Sequence, residues 1–427
     1  MRRIKKLMAA VLLLCMTMCF AGCGEEKLVS EDFNRTNIGN GVINPIMKTD
    51  TGYYYNQSSF NELSLHYYDV ANGKNMYLCN KPECRHEGDE FCAATSDKYR
   101  VMDTVLYGGS LYISALEKTE TAYEYKLLKA ALDGSSLSEV ITYFVIDNVS
   151  LATGGGGEMV IHRNKAFLPY FLVNPKNTEV GIGGVAIYDM ESGELTYLGE
   201  KEGSIETKRE RFEAYGDYMY FVQTQKYKKE LMRYSYADGS VEKMELKTGF
   251  RGGYTVYDEN TIFYIRGDGS EIHIFRSDTK ENTQIDIEEW FGFFTEGEDG
   301  AQELQCYVSL DSMISDGEYV YIPENISFDR YSCPYQIYHS EGEPDTEYAE
   351  ITILDKDGNY VNHVEVSSKK LLGYNEFFSL HFVEDAVYMQ TPTMVYECSK
   401  ADFIAGNADF KECYPLDINI RSAKELE

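Results

Sequence analysis

GDYMYFV (216–222), followed by LMRYSYADGSVE (231–242), holds the pattern from which the fold of this chain is read. The first half is a polar turn and then an alternating aromatic strand. The second is a period-2 strand that runs into an Asp-Gly turn, the chemistry of a hairpin between two outer strands. The first half recurs as TGYYYNQ (51–57), GGSLYIS (108–114), RNKAFLPY (163–170), NTIFYIR (260–266), GEYVYIP (317–323) and EDAVYMQ (384–390), which makes seven copies. The aligned aromatics are Tyr55, Tyr112, Phe167, Tyr220, Tyr264, Tyr321 and Tyr388, spaced by 57, 55, 53, 44, 57 and 67 residues. These spacings sit at or above the roughly 40 to 50 residues of a four-stranded propeller blade.

The second half recurs at 63–74, 125–136, 184–195, 272–282 and 351–361, and in the seventh copy MVYECSKADFIAGNADF (394–410) stands in its place, distorted by an insertion. Such a unit cannot bury both faces alone, and stacking in a ring solves that. The pattern predicts an all-β chain, a single-domain seven-bladed β-propeller over 41–420 with a tail at 421–427. The extended segment 41–49 is expected to complete the last blade as a shared strand. The second fold reading is an array of two smaller propeller-like or sandwich domains. Composition agrees with many short strands: Tyr (36), Phe (21) and Gly (35) are abundant and Pro (9) is scarce.

The chain opens with a signal. Arg2, Arg3, Lys5 and Lys6 supply a positive start, Leu7 to Phe20 an apolar run of 14 residues, and Ala21-Gly22-Cys23 a small-residue end. The run is short of the roughly 20 residues of a spanning helix. Residues 1–22 are therefore expected to be a lipoprotein signal peptide, Cys23 the lipidated residue, and 23–40 a flexible acidic tether. The formal charge is −30, and removing the four signal cations leaves −34. A field of that sign excludes nucleic acid, which needs basic patches, and repels anionic headgroups, so the lipid is the only membrane contact expected.

Seven cysteines follow the anchor: Cys79, Cys84, Cys92, Cys306, Cys333, Cys398 and Cys413. The compact constellation is YLCNKPECRHEGDEFCAA (77–94), with Cys79, Cys84, His86 and Cys92 in the spacing C-x4-C-x-H-x5-C. Three thiolates and an imidazole match a closed structural zinc site. A disulfide between two of the three is the rival reading. Setting three cysteines aside leaves an even four, for which Cys306 with Cys333 and Cys398 with Cys413 are the nearest pairings.

For a ligand, the stretch 287–305 offers Trp290, Phe291 and Phe293 beside carboxylates, a set that can stack on sugar rings, although packing under the body explains it too. A second insertion, 335–350, reads as an acidic loop. The glycine run 154–157 lacks the Lys-Ser/Thr of a phosphate loop, the turn 355–360 lacks the closing Glu of a calcium loop, and neither G-x-S-x-G nor H-E-x-x-H occurs. The scattered histidines are explained by packing.

The lipobox-like F-A-G-C, the aromatic repeat and the L-C-N-K-P-E-C-R-H block together resemble the β-propeller lipoproteins of unknown function of clostridia and related Gram-positive bacteria. The resemblance implies an outward-facing protein on the cytoplasmic membrane and no known reaction, and an anaerobic setting would disfavour disulfides. The functional expectation is a binding or scaffold module for an extracellular glycan, peptide or protein. The alternative is a carbohydrate-active hydrolase or lyase with its site in the central channel.

Overall fold

The computed structural model describes residues 46–416 other than 58–61, 88–91, 147–152, 156–157, 175–176, 202, 205–206, 226–227, 268–270, 286–293, 297–301, 305–312, 324–347, 368–377, 384 and 392. The signal peptide, Cys23, the tether, Trp290, Phe291, Phe293, Cys306, Cys333 and the tail lie outside the described residues.

The fourth repeat shows how sequence becomes sheet. Its strands Thr207–Tyr215, Tyr218–Gln225, Lys228–Ser235 and Val241–Lys243 pair antiparallel in chain order. Along the second strand, side chains alternate between faces. Met219 and Phe221 pack with Phe167 of the third repeat, and Tyr220 and Val222 pack with Tyr254 and Tyr264 of the fifth. A strand apolar on both faces must be covered on both sides, which one sheet cannot do for itself. All seven aligned aromatics sit on the second strand of their repeat, and all are buried.

Seven buried clusters among the described residues join the repeats pairwise in chain order: first with second, second with third, and on to sixth with seventh. The last of the seven joins the seventh repeat back to the first. A ring of antiparallel meanders closed face to face is a β-propeller.

The repeats do not form seven separate sheets, which corrects that part of the expectation. Four sheets have four strands, the third repeat's has six, and the first two repeats run together in one sheet of eight. The fusion arises because strand Glu62–Asp69 of the first repeat also pairs with strand Thr95–Tyr107 of the second. A separate two-stranded hairpin links Phe294–Glu296 and Gln302–Leu304.

The shared closing strand is also corrected. Met47–Lys48 pairs with Gly52–Asn56 of its own repeat, and the seventh repeat supplies all four strands of its own sheet. Side chains close the ring instead. Tyr53 stacks on Tyr414 (centroids 4.6 Å apart) and lies edge-on to Tyr388, with the Tyr53 and Tyr388 hydroxyls 3.4 Å apart. Lys48 pairs with Glu397 at 3.8 Å, and Asn75 donates to the Pro415 carbonyl. The insertion in the seventh repeat is a one-turn helix, Lys400–Ile404, capped by Ser399, with Phe403 fully buried between the sixth and seventh repeats.

The first strands of several repeats are stitched to one another by side chains. Asp103 of the second repeat accepts the Met159 N–H of the third at 2.6 Å. Glu213 of the fourth accepts the Val256 N–H and Thr255 hydroxyl of the fifth at 2.8 and 2.9 Å, and Thr255 accepts the Ser315 N–H of the sixth at 2.9 Å. Burial pushes Asp103 up to about 7 and Glu213 up to about 8, against the pull of those donors.

Two outcomes are expected from this architecture. Tyr414→Ala opens a cavity at the closing contact and should cost about 3–5 kcal/mol in denaturant unfolding; a loss no larger than that of a surface substitution would show that the ring does not depend on this contact. A carboxyl whose folded pKa exceeds its unfolded value favours folding most below the unfolded value, and that contribution disappears as pH rises through the folded one. Above about pH 7, beyond the titration of unfolded histidine, the chain should therefore lose stability up to about pH 8.5, and Glu213→Gln, whose amide oxygen can accept both the Val256 N–H and the Thr255 hydroxyl, should lose less; an equal slope in urea unfolding refutes the assignment.

Candidate metal centre

Strand Lys74–Tyr77 is the last of the first repeat and strand Thr95–Tyr107 the first of the second, so the chain between them must cross the edge of the first sheet. That crossing carries Cys79, Cys84, His86 and Cys92. Cys79 stands two residues past the strand end, after Leu78. Cys84 sits at the close of a turn, its N–H bonded to the Lys81 carbonyl at 3.1 Å. His86 has φ +56°, a left-handed conformation uncommon outside glycine. Cys92 is buried, and its sulfur accepts the Thr95 N–H at 3.3 Å and the Thr95 hydroxyl at 3.2 Å.

The four ligand atoms lie within 4.8 Å of one another. His86 Nδ1 is 3.5 Å from Cys92 Sγ. A tetrahedral zinc with Zn–S near about 2.3 Å and Zn–N near about 2.0 Å has S···N edges of about 3.5 Å and S···S edges of about 3.8 Å. One edge of that tetrahedron is thus already at length, and none of the others exceeds 4.8 Å. The group can bind a metal ion, with Nδ1 as the imidazole's ligand atom.

The sulfurs are surrounded by donors. Burial works against ionisation of Cys79, yet the N–H groups of Lys81 and Ala93 and the neighbouring thiols bring it below the ordinary thiol range. Burial pushes Cys84 up to about 11, although the His86 N–H favours its thiolate. One sulfur of the set therefore ionises first and holds the next protonated, and a dication would remove that conflict.

Rings support the histidine. Tyr55 stacks on His66 (5.2 Å), His66 lies tilted against Tyr77 (4.7 Å), and Tyr77 stacks on His86 (4.6 Å). Burial holds His66 down to about 4, with His86 adding to the effect, so the buried imidazole stays neutral. On the opposite side is the hairpin turn of the second repeat. The Gly134 carbonyl accepts the Asn80 N–H, and a Cβ at Gly134, where φ is +68°, would lie 2.7 Å from the Cys79 nitrogen.

All four sequence-predicted ligands are brought together, and no disulfide joins any of the five described cysteines. The expected Cys398–Cys413 pairing is overturned. Cys398 faces the sixth repeat and bonds to the Ser399 and Asn407 carbonyls, whereas Cys413 faces the first and bonds to Glu397. Side chains on opposite faces of one sheet cannot be bridged. Thr95, Tyr77 and Gly134 escaped the sequence reading. Only the Asp-Gly turn of Gly134 left a signal there, and it reads as an ordinary hairpin.

No protein-family model and no curated protein matches this chain. Among solved structures it is similar to a streptogramin B lyase (12% identity, 86% of this chain and 97% of that one, TM-score 0.44). It is also similar to a puromycin hydrolase (13%, 84% and 52%, TM-score 0.45) and to an uncharacterized protein of Listeria monocytogenes EGD-e (8%, 75% and 83%, TM-score 0.42). Likeness at this level assigns no activity. The class that fold and site define is an all-β propeller with a Cys3His cluster between its first two repeats. No described helix is long and apolar enough to cross a membrane.

Gly134→Ala should weaken retention of an added divalent metal ion by about tenfold or more in competition with a chromophoric chelator, with the far-ultraviolet spectrum kept; unchanged retention would remove the hairpin from the site's support.

Proposed function

We propose that this protein is a lipid-anchored, extracytoplasmic seven-bladed propeller that serves as a binding or scaffold module for an extracellular glycan, peptide or protein, its Cys3His site holding a structural zinc ion. The observation that carries the reading is how the described buried polar groups are used. Asp103 and Glu213 accept donors from the next repeat, and Asp316 accepts the Tyr321 hydroxyl and pairs with Lys400. His66 and His273 stack on the repeat tyrosines Tyr55 and Tyr264. Among the described residues, these carboxylates are engaged in contacts between neighbouring repeats and these imidazoles in packing on the tyrosines of their own repeats. At the metal site, three sulfurs and one nitrogen fill a tetrahedron and leave no open position for substrate.

The blade count rests on the cycle of seven clusters, with the eight-stranded sheet counted as two blades. The anchor rests on Cys23 and its preceding signal. Trp290, Phe291 and Phe293 remain the side chains proposed for ligand contact.

Metabolic labelling with palmitate should mark the chain, and Cys23→Ser should abolish the label and release the protein from the membrane fraction. On glycan and peptide arrays the chain should retain a ligand without changing it, and Trp290→Ala should weaken retention about tenfold or more. Conversion of a retained polysaccharide to shorter or unsaturated products would replace this reading with the enzyme one.

A further inference from the structure

Strand Glu62–Asp69 uses one edge for two partners. Its later residues pair with Lys74–Tyr77 (His66↔Tyr77), and its first residues pair with Thr95–Tyr107 (Ser64↔Thr95, Leu63↔Ser96). The change of partner falls at Leu65. Its carbonyl accepts the Leu78 N–H at 3.0 Å, and its N–H donates to the Ala94 carbonyl at 2.7 Å. The crossing loop therefore leaves and returns at a single residue, and Cys79 and Cys92 stand just inside the two sides of that neck. His86 and Cys84 come from the body of the loop.

We infer that the metal ion locks this neck, and that its binding is coupled to the strand pairing that fuses the first two repeats. The inference rests on the metal reading of the Cys3His cluster. A metal joining Cys79 to Cys92 holds the Leu78 and Ala94 ends against Leu65. The Thr95 N–H and hydroxyl both bond to the Cys92 sulfur, so the first residue of the second repeat's strand is tied to a ligand. The ladder it begins has little else to hold it. Its register breaks between Glu62 and Leu63, and the neighbouring strand Lys74–Tyr77 has four residues, two of them exposed. Without the metal, the neck itself is closed by the two backbone hydrogen bonds of Leu65 and the short ladder beside them, and the body of the loop by the Asn80–Gly134 bond and the Tyr77–His86 stack.

The full chain, purified with Zn2+ under reducing conditions, can be compared with the chelator-stripped chain by hydrogen–deuterium exchange. Stripping should speed exchange about tenfold or more in peptides covering 62–66 and 92–100, while those covering 216–242 stay protected. Cys92→Ser should reproduce the stripped pattern, and the wild-type chelator comparison decides the matter if that variant does not fold. Failure to take up about one Zn2+ per chain overturns the metal reading and this inference together. Zinc that is bound and released without any change at 62–66 and 92–100 overturns the lock alone. Loss of protection spread equally around the ring overturns it as well, because the ion would then hold the whole fold rather than one junction.

Discussion

Every repeat in this chain has a second strand that is apolar on both faces, and the fold follows from the need to cover both. Phe221 and Val222 are adjacent in sequence, point to opposite neighbours and are each fully buried. A linear stack of such sheets would leave one face bare at each end. Closure removes both ends, and it is achieved between the first and seventh repeats by Tyr53, Tyr55, Tyr388 and Tyr414. Because those contacts are between side chains and not within a shared strand, the closing energy is the dispersion and apolar burial of a few rings. The ion pair of Lys48 with Glu397 is half-exposed and adds little to that.

The repeat was legible because this burial rule writes itself into composition. Tyr, Phe, Val, Ile, Leu and Met dominate a strand covered on both sides, so the runs at 216–222, 260–266 and 317–323 stand out from the acidic chain around them. The hairpin turns were legible for a different reason, since Asp-Gly carries its own backbone preference. What a strand does at its edges left no such mark. That Glu62–Asp69 would take two partners depends on the path of the loop at 78–94. That Cys398 and Cys413 face apart depends on strand register, which the interposed helix Lys400–Ile404 hides from a count along the chain.

The Cys/His cluster was legible as a composition of ligands, not as a place. Spacing brought Cys79, Cys84, His86 and Cys92 within reach of one another, but their meeting at one point depends on groups remote in sequence. Gly134 must lack a side chain for the Cys79 backbone to pass, and Tyr77 must present a ring face to His86. Neither requirement has a sequence pattern of its own. The inner-strand stitches are similar: Asp103 and Glu213 are two of 70 acidic residues, and only the register of neighbouring sheets separates them from the rest.

The position of the cluster between the first and second repeats has a physical reason of its own. Six of the seven inter-repeat clusters among the described residues are built around two or more buried aromatic rings, such as Phe144 on Tyr170 at 4.0 Å and Tyr321 on Phe382 at 3.9 Å. The first interface has Tyr54 as its one buried ring, alongside Ala94, Ala115, Ala130 and Cys92. This interface is aliphatic where the others are aromatic, with Leu63, Leu65, Leu78, Leu111, Ile113 and Leu128 buried in it. It adds backbone pairing, which fuses the two sheets, and a group of ligands carried by the crossing loop beside that pairing. The ligands of the cluster therefore sit at the one described junction where neighbouring repeats are joined by strand pairing as well as by side chains.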